Sequence, residues 1–86
     1  FTLEQNYPNP FNPSTNIRFS LPEQAEVTLS IFDVTGREVA NVIAGKVLPA
    51  GNHSLEFNAS SLTSGVYLYT LKAGDRSQTK KFTLLK

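Results

Sequence analysis

Few side chains in this chain could carry covalent chemistry. His53 is the single imidazole. A general base or a metal ligand needs a carboxylate, a nucleophile or further ligands beside it. In His53-Ser54-Leu55-Glu56-Phe57 the ring falls in phase with Leu55 and Phe57, which predicts a partly covered strand residue and not a base. Ser54, Ser60, Ser61 and Ser64 offer hydroxyls, yet no nucleophile elbow or Gly-rich oxyanion loop accompanies them. The glycines stand singly at turns and make no phosphate cradle. With no Cys there is no thiolate site and no disulfide framework. Asn52-His53-Ser54 and Asn58-Ala59-Ser60 are acceptor sequons, relevant only to a eukaryotic secretory route. No reaction class can be assembled from these groups, so the expected protein is not an enzyme and needs no cofactor or metal.

Charge is a better guide to function. The net +1 hides a gradient. Residues 1–71 hold Arg18, Arg37 and Lys46 against six carboxylates, a local −3, whereas residues 72–86 hold Lys72, Arg76, Lys80, Lys81 and Lys86 against Asp75 alone, a local +4. A basic tail on an acidic body suits nucleic acid, anionic lipid or an acidic protein surface. It equally suits a terminal strand protected by lysines against edge-to-edge aggregation.

The elements that must position these charges are short strands. Eighty-six residues make one small domain, burying roughly 60–65% of what its unfolded chain exposes. No apolar run nears the ~20 residues needed to span a bilayer, and no signal peptide is present. The sequence holds no Met; Phe1 is therefore not a natural translation start, and the chain is expected to be the end piece of a longer secreted protein.

From Asn16 onward apolar and polar residues alternate. Ile17, Phe19 and Leu21 face one way, and Pro22-Glu23 turns the chain. Val27, Leu29 and Ile31 face inward from the next strand, and Asp33-Val34-Thr35-Gly36 is a turn. Arg37 to Ile43 reads as a third strand, and Gly45 and then Pro49-Ala50-Gly51 break the segment after it. Asn52 to Phe57 is a strand. The crossover 58–64 contributes Leu62 to the core. Gly65 to Leu71 is apolar on both faces, Gly74-Asp75 supplies positive-φ positions for a hairpin turn, and Ser77 to Leu85 returns. On that last strand Lys80, Phe82 and Leu84 share one face; Thr79, Lys81, Thr83 and Leu85 share the other. About seven short strands with no helical period predict an all-β fold, an antiparallel Greek-key β-sandwich. A single sheet would leave its apolar face wet. Each such side chain is worth about 1.5–3 kcal/mol when buried, and conformational entropy opposes folding at about 1–2 kcal/mol per residue.

Residues 1–15 differ from the rest. In Asn6-Tyr7-Pro8-Asn9-Pro10-Phe11-Asn12-Pro13 three prolines remove backbone donors and push the residues before them toward extended geometry. This opening motif reads as a strap across the side of the sandwich formed by 16–86, with Tyr7 and Phe11 as its anchors. A loop using its Asn side chains for an ion or sugar is the functional alternative.

Taken together, QNYPNPFNPSTNIRFSLP, VTLSIFDVTGREV, LPAGNHSLEF, LTSGVYLYTL and TKKFTLLK resemble, over essentially the whole chain, the type A C-terminal sorting domain of the type IX (Por) secretion system of Bacteroidetes-type bacteria. The resemblance implies an immunoglobulin-like sandwich that directs a covalently linked N-terminal cargo, via the periplasm, through an outer-membrane translocon to the cell surface or beyond. A sortase-like peptidase then removes the domain, often attaching the cargo to the surface. It implies no nucleic-acid partner and no membrane insertion. One departure is Phe57-Asn58-Ala59, where the family often carries Trp followed by Asp-Gly. Carried over by position, the family's signals fall on the opening motif Asn6 to Pro13, on Ser64-Gly65-Val66-Tyr67, and on Lys80, Lys81, Phe82, Leu84 and Lys86. Recognition by translocon and sortase is thus expected at Gly65, Tyr67 and these five terminal residues. Gly65 would allow a backbone geometry or close approach barred to larger residues. Tyr67 would be core, with its hydroxyl partnered. The last strand would offer an apolar rail and lysines to an acidic groove by strand addition. Weak self-association through a free edge is a further expectation.

Two other functions fit the residues less closely. One is a carbohydrate-binding module with Tyr7, Phe11, Phe32 and Tyr69 as a ring platform. The other is a passive spacer, which the lack of internal repeats disfavours.

Overall fold

Period-two alternation governs the architecture of the computed structural model, which describes all residues from Phe1 to Lys86. The strands are β1 (Thr2–Leu3), β2 (Ser14–Leu21), β3 (Ala25–Phe32), β4 (Glu38–Leu48), β5 (Gly51–Asn58), β6 (Gly65–Ala73) and β7 (Arg76–Leu84). They form a three-stranded sheet, β1-β2-β5, and a four-stranded sheet, β4-β3-β6-β7. Every pairing is antiparallel. The chain changes sheet between β2 and β3, between β4 and β5, and between β5 and β6, so β6 returns beside β3 in the Greek-key manner. Tyr67, near the start of β6, donates its hydroxyl to the Thr63 carbonyl four residues upstream at 2.6 Å. That bond is the tyrosine corner found in immunoglobulin-like sandwiches.

The core lies between the sheets. Ile17, Phe19 and Leu21 of β2 and Val27, Leu29 and Ile31 of β3 are buried, as their alternation predicts; on β6, which reads as apolar on both faces, Tyr67, Tyr69 and Leu71 are buried and Val66 is exposed. Phe82 of β7 is at the centre of an aromatic cluster. Its ring centroid is 4.9 Å from Phe11, 5.5 Å from Tyr67, 5.9 Å from Tyr69 and 6.1 Å from Phe57. Phe57 thus fills a core slot despite the departure in its neighbours. Leu62 is half-buried against the core.

Three local expectations are corrected. The third strand does not stop at Ile43: β4 continues through Gly45 to Leu48. It accommodates Gly45 at φ 63° by bulging, with β4 gaining an extra residue opposite β3 at each of three places. The β6–β7 hairpin has positive φ at Gly74 only and not at Asp75, the pattern of a type II′ turn. Residues 1–15 are also not merely a strap. Thr2 and Leu3 pair with Ser20 and Phe19, and β2 already begins at Ser14.

Candidate recognition surface

The last strand has two dissimilar faces. Phe82 and Leu84 point inward and are fully buried. Lys81 is exposed and Thr83 half-buried on the outer face, where the alternation continues to Leu85, 56% exposed. Lys80 is half-buried on the inner side. The rail expected from Phe82 and Leu84 is therefore not on the surface: both side chains are buried in the core.

The outer backbone edge of β7, expected to accept a partner strand, is already occupied. The opening motif runs along it. The Phe11 N–H donates to the Thr83 carbonyl at 3.2 Å, and the Leu85 N–H donates to the Phe11 carbonyl at 3.1 Å. Asn9 Oδ1 accepts the Thr83 N–H at 2.8 Å, and Gln5 Nε2 donates to the Lys81 carbonyl at 2.7 Å. Further along, Gln78 Oε1 accepts the Leu3 N–H at 2.8 Å. Two regions far apart in sequence are thus one physical unit. Unpaired strand edges invite foreign strands, and the strap removes that opportunity.

The strap is itself fixed from within. Tyr69 Oη accepts the Asn6 N–H at 2.9 Å and donates to the Glu4 carbonyl at 2.8 Å. Burial raises the Tyr69 phenol above its ordinary pKa, while the Asn6 N–H pulls it the other way. Asn6 Nδ2 bonds the Pro8 carbonyl at 3.2 Å and Thr15 Oγ1 at 3.0 Å. Thr15 Oγ1 in turn donates to the Pro8 carbonyl at 2.8 Å. Buried Asn6 and Thr15 are thereby satisfied without Pro8 contributing a donor. The Pro13 carbonyl accepts the Ala59 N–H at 2.8 Å. Phe11 is buried, as expected of an anchor. Tyr7 is not: its ring is 79% exposed, and only its backbone, bonded both ways to Asn16, ties it down. Pro8, Asn9, Pro10, Asn12 and Pro13 are exposed. Sequence reasoning does not find Gln5, Thr15 or Gln78, and it sets Tyr69 on a surface platform instead of under the strap, because a side chain that bonds a distant backbone leaves no periodic trace.

Gly65 and Tyr67 sit at the start of β6. Gly65 has φ 153°, and a Cβ built there would meet nothing within 4 Å. Its role is conformational, and the close approach anticipated for it is absent. Lys86 donates Nζ to the Ser60 carbonyl at 2.7 Å and its N–H to Ser64 Oγ at 3.0 Å, which pins the terminus to the crossover.

Asp33 and Arg37, 3.3 Å apart in the β3–β4 turn, make the molecule's one ion pair. Hydrogen bonding, first from the Thr35 hydroxyl, holds the Asp33 carboxyl below its ordinary pKa. None of Lys72, Arg76, Lys80, Lys81 and Lys86 has a carboxylate partner in the domain. His53 stacks on Phe19 with centroids 5.2 Å apart, its Nε2 lying 2.8 Å from the Pro49 carbonyl. No three His, Asp or Glu side chains converge as metal ligands would. The four rings of the expected platform do not share a surface: Phe11 and Tyr69 are buried, Phe32 is half-buried and Tyr7 is exposed.

Individually curated proteins returned no match to the chain. The profile of the family described as "Secretion system C-terminal sorting domain" matches residues 5–85, which takes in both the opening motif and the strand it covers. With all but the extreme ends of an all-β sandwich matched, the chain belongs to the C-terminal sorting domains of the type IX secretion system.

Proposed function

We propose that residues 1–86 form one sorting domain at the end of a longer protein, and that this domain hands its N-terminally linked cargo to the type IX outer-membrane translocon. A sortase-like peptidase then removes the domain, and the cargo is released or held at the cell surface. The observation that carries this reading is the family match spanning residues 5–85. The cations of residues 72–86 support it, since none of them faces a carboxylate within the domain and their charge is left for an external partner. Gly65 and Tyr67 contribute by setting the start of β6. Phe82 and Leu84 contribute by holding β7 in the sandwich, while Lys80, Lys81 and Lys86 supply charge. The opening motif Asn6 to Pro13 keeps the edge of the terminal strand covered.

The test is a transplant. Fused behind a reporter that otherwise stays in the periplasm of a bacterium with a working type IX system, the chain should carry the reporter into the medium or onto the surface, with the domain missing from the exported product. A reporter that stays in the periplasm overturns the sorting role. Export with the domain still attached overturns the removal step.

A further inference from the structure

With the inner face of β7 buried and its edge strapped, a partner that grasps the domain must use another surface. The outer face of the four-stranded sheet is graded along its strands. Ser30, Thr70 and Thr79 form a hydroxyl row across its middle, with Thr70 and Thr79 Oγ1 2.8 Å apart. At one end of the hairpin Lys72 lies opposite Ser77. At the other end Val66 lies opposite Thr83, and Leu68 lies between Phe32 and Lys81. Val66 is 43% exposed and Leu85 56% exposed, two of the few large apolar side chains this domain leaves in water. Leu85 lies one residue beyond the last β6–β7 pair, Gly65↔Leu84. Its N–H turns outward to Phe11 as the Thr83 N–H does to Asn9, so the alternation of β7 carries it to the side of Thr83 and Val66.

We propose that this outer apolar end of the β6–β7 hairpin (Val66, Leu68 and Leu85 beside Lys81) is the surface by which the domain docks, face-on and not by strand addition, onto a protein presenting an apolar ridge rimmed by carboxylates. The inference rests on the sorting reading and names the chemistry of its partner. Charge selects the occupant. The hairpin and terminus carry five cations against Asp75, none of them paired within the domain. A second copy would set lysine against lysine, and like charges facing each other oppose docking. An acidic protein surface meets both features of the strip. The central apolar contacts would supply the anchoring and the lysine at the rim the steering.

Export of the reporter fusion tests the strip. The double variant Val66→Asp/Leu85→Asp should keep the parent's cooperative melt and lower export by about tenfold or more, the scale of a lost interface anchor. Lys81→Glu should lower it less. Val34→Asp, at a 72% exposed residue of the β3–β4 turn, should export like the parent. If the double variant fails to fold, Lys81→Glu decides. A folded double variant, or Lys81→Glu standing in for it, that exports at the parent's level overturns the docking strip and leaves the sorting role intact. If the unaltered fusion is not exported, the sorting role falls and the strip with it. Binding of the unaltered chain to phosphatidylglycerol-containing vesicles, lost on Lys81→Glu, overturns the protein partner in favour of an anionic lipid surface.

Discussion

The two outer strands of the four-stranded sheet solve the same problem differently. β4 is eleven residues long, and not one of them is fully buried. Its edge is kept from foreign strands by irregularity, three extra residues that twist the ladder. β7 pairs with β6 without interruption from Ala73↔Arg76 to Gly65↔Leu84. A regular edge of that length needs a cover, and the cover comes from more than seventy positions earlier in the chain, where Asn9 meets Thr83 and Gln5 meets Lys81. Local protection tolerates local change. Protection at long range makes the terminal strand depend on the opening motif, and it ties together the two ends of the family match.

Phe11→Ala is the strongest way to break that asymmetry. The ring is buried edge-on to Phe82, and its backbone bonds to Thr83 and Leu85 on either side of Leu84. Truncating a core aromatic costs about 3–5 kcal/mol. Urea unfolding should show that loss, and the Thr83 and Leu85 amides should lose hydrogen-exchange protection before the β3 amides do. Uniform loss across both sheets would mean that the strap is no separate cover. Tyr69→Phe is gentler. It leaves the Asn6 N–H and the Glu4 carbonyl without their partner, at about 1–3 kcal/mol for a buried group left unsatisfied. It also has a pH signature. Because burial raises the phenol's pKa, the folded state holds that proton more tightly than the unfolded chain does. The associated stability is full below the ordinary tyrosine value of about 10 and falls as pH rises through it. From about pH 10 upward, stability should therefore vary less with pH for Tyr69→Phe than for the parent.

The contrast also explains how much is legible from residues alone. Alternation in Ile17-Phe19-Leu21 and in Val27-Leu29-Ile31 reports which face meets the core, so strand count, sandwich class and the core residues of β2 and β3 can be read directly. The same alternation places Lys81 and Leu85 on one face. It cannot show that Phe82 and Leu84 vanish beneath Phe11, because what covers an edge is decided by chain segments with no period in common. Tyr7 departs from expectation for a related reason: an aromatic among prolines suggests an anchor, but here the backbone bonds to Asn16 hold the strap and the ring is left in water. Gly45 reads as a breaker because a single positive-φ residue ends a regular strand, whereas a bulged one absorbs it.

Gly45→Ala tests that absorption on the β4 side. A Cβ there would lie 3.9 Å from the Glu26 side chain, an ordinary contact, so the cost should come from φ 63° alone. That is about 1–2 kcal/mol. The effect should remain local: exchange should rise in β4 and β3 while Thr83 and Leu85 stay protected. If the β7 amides respond as well, the two edges are coupled and the contrast between them fails.

Lys81→Ala should be smallest in stability and most telling in function. Its ammonium has no carboxylate partner, and its backbone carbonyl keeps the bond from Gln5 whatever the side chain. Ordinary surface substitutions stay within about 0.5 kcal/mol, so the melting temperature should hardly move. Export of a linked reporter should nevertheless drop, because the charge serves a surface outside the molecule. Phe11→Ala should reduce export too, but only in step with its loss of fold. Plotting export against stability for the two variants separates a strand held ready from the charge displayed on it. If Lys81→Ala falls on the line drawn by the parent and Phe11→Ala, that lysine belongs to the scaffold and not to the signal.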